Sequence, residues 1–327
     1  MSAQARPSAI GPVITRYLAL KTALGRRYAI ERRVLETLET FLQTTGPAAE
    51  LTPETFEAWA QTLQHLAPTV RRNRLRIVRN LCLYRRRTEP ASFLPDLALF
   101  PAPHQPQAPY IYTSSEIGRL LRAASSLSPT PECPLRPHVF HLAVVLLYTT
   151  GLRRGELLRL TLDDYAPDEH VLVIHETKFH KSRRVPLSPT TTRELGRYLQ
   201  ARRHHHLSIS ATTPLLAHGV ATLRGYTGVG LGAGFRRLLM TSGIRTPEGR
   251  WPRIHDLRHT FAVHALVRWY RTGVDVQAKL PLLATYMGHV SIVSTAYYLP
   301  FIEPLRALAS ARFAHRYGAL VGAEGPR

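Results

Sequence analysis

A chain of 327 residues that is 44% hydrophobic can bury two domain cores, and a formal net charge of +21 has to be held against self-repulsion. A polyanion partner accounts for such a charge. A membrane-surface role fits less well, because the basic residues run through both halves instead of gathering on one amphipathic helix. Cys82 and Cys133 are the only cysteines, which excludes a disulfide framework or a cysteine-built metal site. Met1 to Pro12 lacks the apolar core of a secretory signal, and the apolar run Leu142 to Tyr148 is too short to span a bilayer, so a soluble cytoplasmic protein is expected.

Residues 10–88 carry apolar positions at helical spacing, in Ile10 to Leu24 and again in Ile30 to Leu42, with breaks at Gly25 and Gly46-Pro47. Thr52-Pro53-Glu54-Thr55 is a helix start, with a Thr cap, a proline at the first position and an acid in the first turn. Pro68-Thr69 opens another helix, which sets Arg71, Arg72, Arg74, Arg76 and Arg79 beside Val70, Leu75, Val78, Leu81 and Cys82. Almost no acid balances that arginine row, which favours a DNA-facing helix over a merely solvated face. Pro90, Pro95, Pro101, Pro103, Pro106 and Pro109 then mark residues 89–109 as an extended linker. The expected organisation is a helical DNA-binding domain over 1–88, this linker, and a second domain over 110–327.

The second domain opens with the capping box Thr113-Ser114-Ser115-Glu116. Val139 to Thr150 is apolar all round, hence a buried helix, ended by Gly151. His170 to Ile174 and Arg184 to Leu187 read as strands flanking Glu176 to Lys181, in a hairpin or small three-stranded sheet. Helices are expected near 189–203, 229–242, 255–270, 280–287 and 291–299. A last helical segment, Glu303 to Leu320, carries the apolar stripe Leu305, Leu308, Phe313, Tyr317 and Leu320. The fold class is mainly α with a small antiparallel sheet.

Chemistry concentrates between Arg253 and Tyr298. His255 and Arg258 are three apart, on one helix face. His289 follows a helix-breaking glycine, and Tyr298 comes nine residues later. A cation-rich pocket with a phenol at its edge suits a phosphate diester, with the phenol as a nucleophile. Upstream, Arg153 follows the buried helix and Glu156 stands where it can orient that arginine, although Arg-x-x-Glu by itself is commonly a surface salt bridge. Only four of the 43 basic residues are lysine: Lys21, Lys178, Lys181 and Lys279. A general acid must be able to lose its proton, which lysine can do and arginine effectively cannot, so a lysine kept in an arginine-dominated chain suits that role. Lys181 competes with Lys178 for it, and a plain phosphate contact is the alternative for either.

Taken in order, Thr150-Gly151-Leu152-Arg153, a lysine in the following β-turn, His255-x-x-Arg258, Gly288-His289 and Tyr298 resemble the tyrosine recombinases of the phage-integrase family, which cut and rejoin DNA at specific sites. The resemblance covers Tyr110 to about Arg316, and the basic helical domain before it is similar in kind to the family's SAM-like core-binding domain. It implies that Arg153 and Arg258 clamp the nonbridging oxygens of the scissile phosphate, that Tyr298 attacks to leave a 3′-phosphotyrosyl link and a free 5′-hydroxyl, and that Lys178 protonates the leaving oxygen. His255 would assist proton transfer, His289 would donate to the phosphate, and Glu156 would support the site. The tyrosyl ester conserves the energy of the broken bond, so no nucleotide cofactor is expected, and the two arginines replace a metal. The implied partners are double-stranded DNA, a homotetramer on two DNA sites and accessory recombination proteins, with a nucleoid-associated location and a role in moving or resolving a mobile element.

Two departures stand out: Met287 replaces the family's usual leucine, and Tyr297 precedes Tyr298 as a competing phenol. About 100° separates the two on a helix, and the spacing from His289 favours Tyr298. Alternatives from other classes are a DNA-binding protein of this fold without catalysis, and a metal-dependent hydrolase using His255 and His259 at i, i+4. The latter lacks an evident third ligand, and Arg258 between the histidines repels a metal. His204-His205-His206 reads as a solvated helix end.

Overall fold

Helical periodicity and cap chemistry account for most of the backbone. In the computed structural model, described over residues 8–26, 28–46, 49–103, 107–175, 182–220 and 222–288, the chain divides into two units, Met1–Gln107 and Ala108–Arg327. The first contains α1 (Gly11–Ala23), α2 (Ala29–Thr45), α3 (Pro53–Thr62) and α4 (Pro68–Arg85). Val13, Ile14 and Tyr17 of α1, Leu35, Leu38 and Leu42 of α2, Phe56 and Trp59 of α3, and Leu75, Val78, Leu81 and Cys82 of α4 meet in one core. α3 starts where its cap signal lies: Thr52 Oγ1 accepts from the Thr55 amide at 3.3 Å, and Pro53 opens the helix.

The proline-rich segment after α4 differs from a free linker. Phe93, Leu94 and Phe100 pack against the first unit's core, and Phe100 is only 7% exposed. Arg72, Arg79 and Arg86 recur every seven residues, hence on one face of α4, and hold this segment by its carbonyls. Arg86 Nε donates to Ser92 O at 2.8 Å, Arg79 Nε to Pro95 O at 3.0 Å, and Arg72 Nη1 to Pro101 O. Proline removes backbone donors and leaves acceptors, so a proline-rich strand suits a row of guanidinium donors. The expected arginine-coated DNA face is correspondingly narrower. Arg72 and Arg79 are committed within the unit, Arg71 and Arg74 are half-buried, and Arg76 is exposed.

The second unit contains α5 (Ser114–Ser125), α6 (Arg136–Thr150), the single-turn α7 (Arg154–Leu157), α8 (Pro189–His204), α9 (Gly228–Thr241), α10 (Asp256–Arg271) and α11 (Val276–Met287). α5 has the expected capping box, with the Thr113 amide donating to Glu116 Oε2 at 2.8 Å. α6 is buried along nearly its whole length, as its unbroken apolar run requires, and runs through the unit's centre against α5, α8 and α10. α8 ends at His204, so the histidine triplet straddles its C-terminus.

The sheet is three-stranded and antiparallel in the order β1 (Tyr165–Ala166), β2 (Val171–Ile174), β3 (Arg183–Pro186), with Ile174 opposite Arg183 and Val171 opposite Pro186. A second pair, β4 (Ala217–His218) with β5 (Arg224–Gly225), is too short to show alternation in sequence. α11 begins four residues before its expected start. Asp275 Oδ1 caps it, accepting from the amides of Gln277 and Ala278 at 2.9 and 3.2 Å, which leaves Pro281 inside the helix. Lys178 and Lys181, the segments expected as helices over 291–299 and Glu303 to Leu320, and residues His289 to Tyr298 lie outside the described residues. No helix among the described residues is long and apolar enough to cross a membrane.

Because Phe100 belongs to a core, Phe100→Ala is expected to destabilise the first unit by about 3 kcal/mol. Amide hydrogen exchange across α1 to α4 should accelerate accordingly, whereas truncating an aromatic in a free linker would leave it unchanged.

Candidate active site

The site forms where two helices end. α6 stops at Gly151 and α11 at Gly288, both in the left-handed region with φ of +62° and +68°. A helix C-terminus presents carbonyls with no intrahelical partner and a partial negative charge, so it attracts cations. Three arginines take these groups. Arg183 Nε donates to Tyr286 O at 2.9 Å, Arg258 Nη2 to Met287 O at 2.8 Å, and Arg153 Nη2 to Gly288 O at 2.7 Å. Arg258 Nη1 also donates to Gly151 O, which ties the end of α6 to the end of α11.

Arg258 sits one turn into α10 and is 1% exposed, whereas the Arg153 side chain keeps 32% of its surface open. Glu156, on α7, is 3% exposed and joins the segments. Its Oε1 accepts from Arg153 Nη1 at 2.8 Å and Arg183 Nη1 at 3.1 Å. Its Oε2 accepts from the Arg153 amide and Arg183 Nη2, each at 2.9 Å. Burial works to raise the Glu156 carboxyl, but the Arg183 fork, the Arg153 amide and the Arg153 guanidinium together hold it at about 2.

His255 occupies the N-cap of α10, and its side chain is exposed. Desolvation by the surrounding atoms, then the charge of Arg258 and further those of Arg253 and Arg153, push its imidazole below the ordinary value. It is therefore neutral near pH 7 and able to accept a proton. Its ring packs edge to face on His259, with centroids 4.8 Å apart. The charge of Asp256 works against this shift, and its carboxylate accepts from the Arg253 amide at 2.7 Å and from Arg253 Nη2 at 2.8 Å.

Of the residues that the sequence singled out, Arg153, Glu156, His255 and Arg258 thus share one neighbourhood. His289 follows Gly288 directly in sequence and, with Lys178 and Tyr298, lies outside the described residues. Arg183 is missing from the sequence reading, although a signal for it existed. In β3, residues 183 and 185 share a face, and Val185 is fully buried, so an arginine two positions earlier points inward and needs an acid. Gly288 has a second constraint besides its φ. A Cβ there would lie 2.6 Å from Arg183 Nη1.

A cluster of arginines beside two helix ends is thus carried by a mostly helical unit with a small antiparallel sheet. Comparison with known proteins gives the class. Residues 112–300 match the phage integrase family, and the chain belongs to that family, the tyrosine-type site-specific DNA recombinases. It is 34% identical to the putative integrase/recombinase y4rB of Sinorhizobium fredii over 307 residues, 93% of this chain and 96% of that one. It is 27% identical to the tyrosine recombinase XerD of Bradyrhizobium diazoefficiens, over 60% of each chain. Among solved structures, its fold is similar to that of the Tn1549 transposon integrase in complex with circular intermediate DNA, with a TM-score of 0.59 at 18% identity, covering 88% of this chain and 94% of that one. It is also similar to XerH recombinase bound to its palindromic difH substrate, with a TM-score of 0.58 at 17% identity, covering 88% and 79%.

Two outcomes follow from this geometry. The folded Glu156 carboxyl titrates at about 2 against an ordinary 4.5, so its contribution is full above pH 4.5 and is lost as pH falls toward 2. That contribution is on the order of 3 kcal/mol. Glu156→Gln should flatten the slope of stability against pH in that window, as measured by urea unfolding at a series of pH values. Gly288→Ala should cost more stability than Gly243→Ala. Both pay the left-handed backbone penalty of roughly 1–2 kcal/mol, but only the first drives a methyl into a guanidinium, whereas a Cβ at Gly243 meets nothing within 4 Å. Thermal melts of the two variants read the difference.

Proposed function

We propose that the chain cuts and rejoins duplex DNA through a 3′-phosphotyrosyl intermediate, in the movement or resolution of a mobile element. The observation that carries this reading is the convergence of Arg153, Arg258 and a neutral His255 on the chain ends that lead into His289 and Tyr298. Arg153 and Arg258 hold the nonbridging oxygens of the scissile phosphate: Arg153 presents an exposed guanidinium oriented by Gly288 O at 2.7 Å, whereas Arg258, 1% exposed and bonded to Gly151 O and Met287 O, has to be uncovered to reach it. Tyr298 Oη attacks phosphorus, the P–O5′ bond breaks, His255 takes the phenolic proton, and Lys178 protonates the departing 5′-oxygen. His289 donates to the phosphate, and Glu156 fixes Arg153.

The first unit, through Arg71, Arg74 and Arg76, contacts DNA phosphates on either side of the cut. Kinship to y4rB along nearly the whole chain, and to a transposon integrase in fold, supports the mobile-element role. Active assemblies are homotetramers spanning two DNA sites, with accessory recombination proteins setting direction.

Tyr298→Phe removes one oxygen and little volume, so DNA binding should survive while the covalent protein–DNA adduct disappears. An adduct that persists would assign the nucleophile to Tyr297, and a wild-type chain with site-specific binding but no adduct would leave a non-catalytic DNA-binding protein. Lys178→Ala should slow cleavage of an ordinary diester by at least about 100-fold, the lower end of the roughly 10²–10⁴-fold that general acid catalysis contributes. A 5′-bridging phosphorothiolate, whose thiolate leaves without a proton, should restore the rate. Restoration of Lys181→Ala in place of Lys178→Ala would transfer the acid role to Lys181.

A further inference from the structure

Glu156 accepts from two arginines, and they differ in what remains open to them. Arg183 has a 9% exposed side chain. It spends Nε on Tyr286 O and both terminal nitrogens on the carboxylate. Arg153 gives Nη1 to the carboxylate and Nη2 to Gly288 O, yet keeps 32% of its side chain exposed. A lone Glu156–Arg153 pair would be neutral, and an arginine already cancelled by a buried carboxylate is a poor clamp for an anion. With Arg183 present, the three groups carry one net positive charge, and the exposed guanidinium is where an incoming anion meets it.

We propose that Arg183 is a positioning residue whose charge cancels that of Glu156, leaving the charge of the exposed Arg153 guanidinium uncancelled toward a DNA phosphate while Glu156 and Gly288 O fix its orientation. The same side chain fastens β3 to the end of α11 through Tyr286 O, where Gly288, lacking a Cβ, gives it room. The proposal rests on the reading of Arg153 as a phosphate clamp. It extends that reading to a residue that does not itself touch the reacting atoms.

The test compares single-turnover cleavage of site DNA by full-length wild type, Arg183→Met, Arg183→Lys and the double variant Glu156→Gln/Arg183→Met, each first checked for folding by circular dichroism. Arg183→Met should lose about 100-fold, comparable to deleting one charge that stabilises a transition state. The discriminating readout is suppression. Removing the carboxylate's charge as well should return at least about 10-fold of that loss, a coupling that independent structural damage would not produce. Arg183→Lys, which keeps the charge without the fork, should retain at least about a tenth of wild-type activity.

A double variant no faster than Arg183→Met overturns the proposal, since the arginine would then be only a strand anchor. If Arg183→Met does not fold, folded Arg183→Lys decides alone, and activity as low as that of Arg153→Ala refutes the charge argument. A wild-type chain that forms no adduct would defeat the cleavage reading and not this one. In that case the affinity of the same variants for site DNA, measured in a Tyr298→Phe background, reads the same coupling.

Discussion

The second unit depends on how the end of α11 is held. Its last carbonyls, at Tyr286, Met287 and Gly288, each receive a different arginine, drawn from β3, α10 and the turn after α6. A helix terminus left with bare carbonyls in a half-buried place would be costly, and three permanent cations satisfy it more firmly than backbone amides would. Because the donors come from distant parts of the sequence, satisfying these three groups also brings together the segments that carry the chemistry. Capping and site assembly are one set of bonds.

Glu156 closes this arrangement from the other side. A carboxylate accepting four hydrogen bonds, two of them from one guanidinium fork, is fixed in position and held in its charged form well below the ordinary carboxylate range. It also keeps two buried or half-buried arginines from facing each other as bare like charges. Guanidinium charges held this close together in the folded protein need compensation, and carbonyls and one acid provide it here.

The same device recurs in the first unit with a different purpose. Arg72, Arg79 and Arg86 donate to the carbonyls of a proline-rich strap, and Phe93 and Phe100 complete a core that α1 to α4 alone would leave open. Part of the chain's arginine is thus structural, pairing with backbone acceptors, so the net charge of +21 does not by itself say which cations face a nucleic acid.

Sequence alone determined what depends on local chemistry. The capping residues Thr52 and Thr113 and the end of the buried helix at Gly151 follow from caps, and the pairing of β2 with β3 follows from short-range patterning. Arg153, Glu156, His255 and Arg258 were legible as a set because their order along the chain resembles that of the tyrosine recombinases. Tertiary structure decided which arginine serves which acceptor. Arg79 and Arg76 look alike in the sequence, yet one holds Pro95 and the other faces solvent, and Arg183 looks like any strand arginine until Glu156 and Tyr286 O are found beside it. A guanidinium stands at the end of a long flexible side chain and carries five donors, so its partner is set by which chain segment passes within reach. Periodicity and composition do not encode that distance; only the packed fold does.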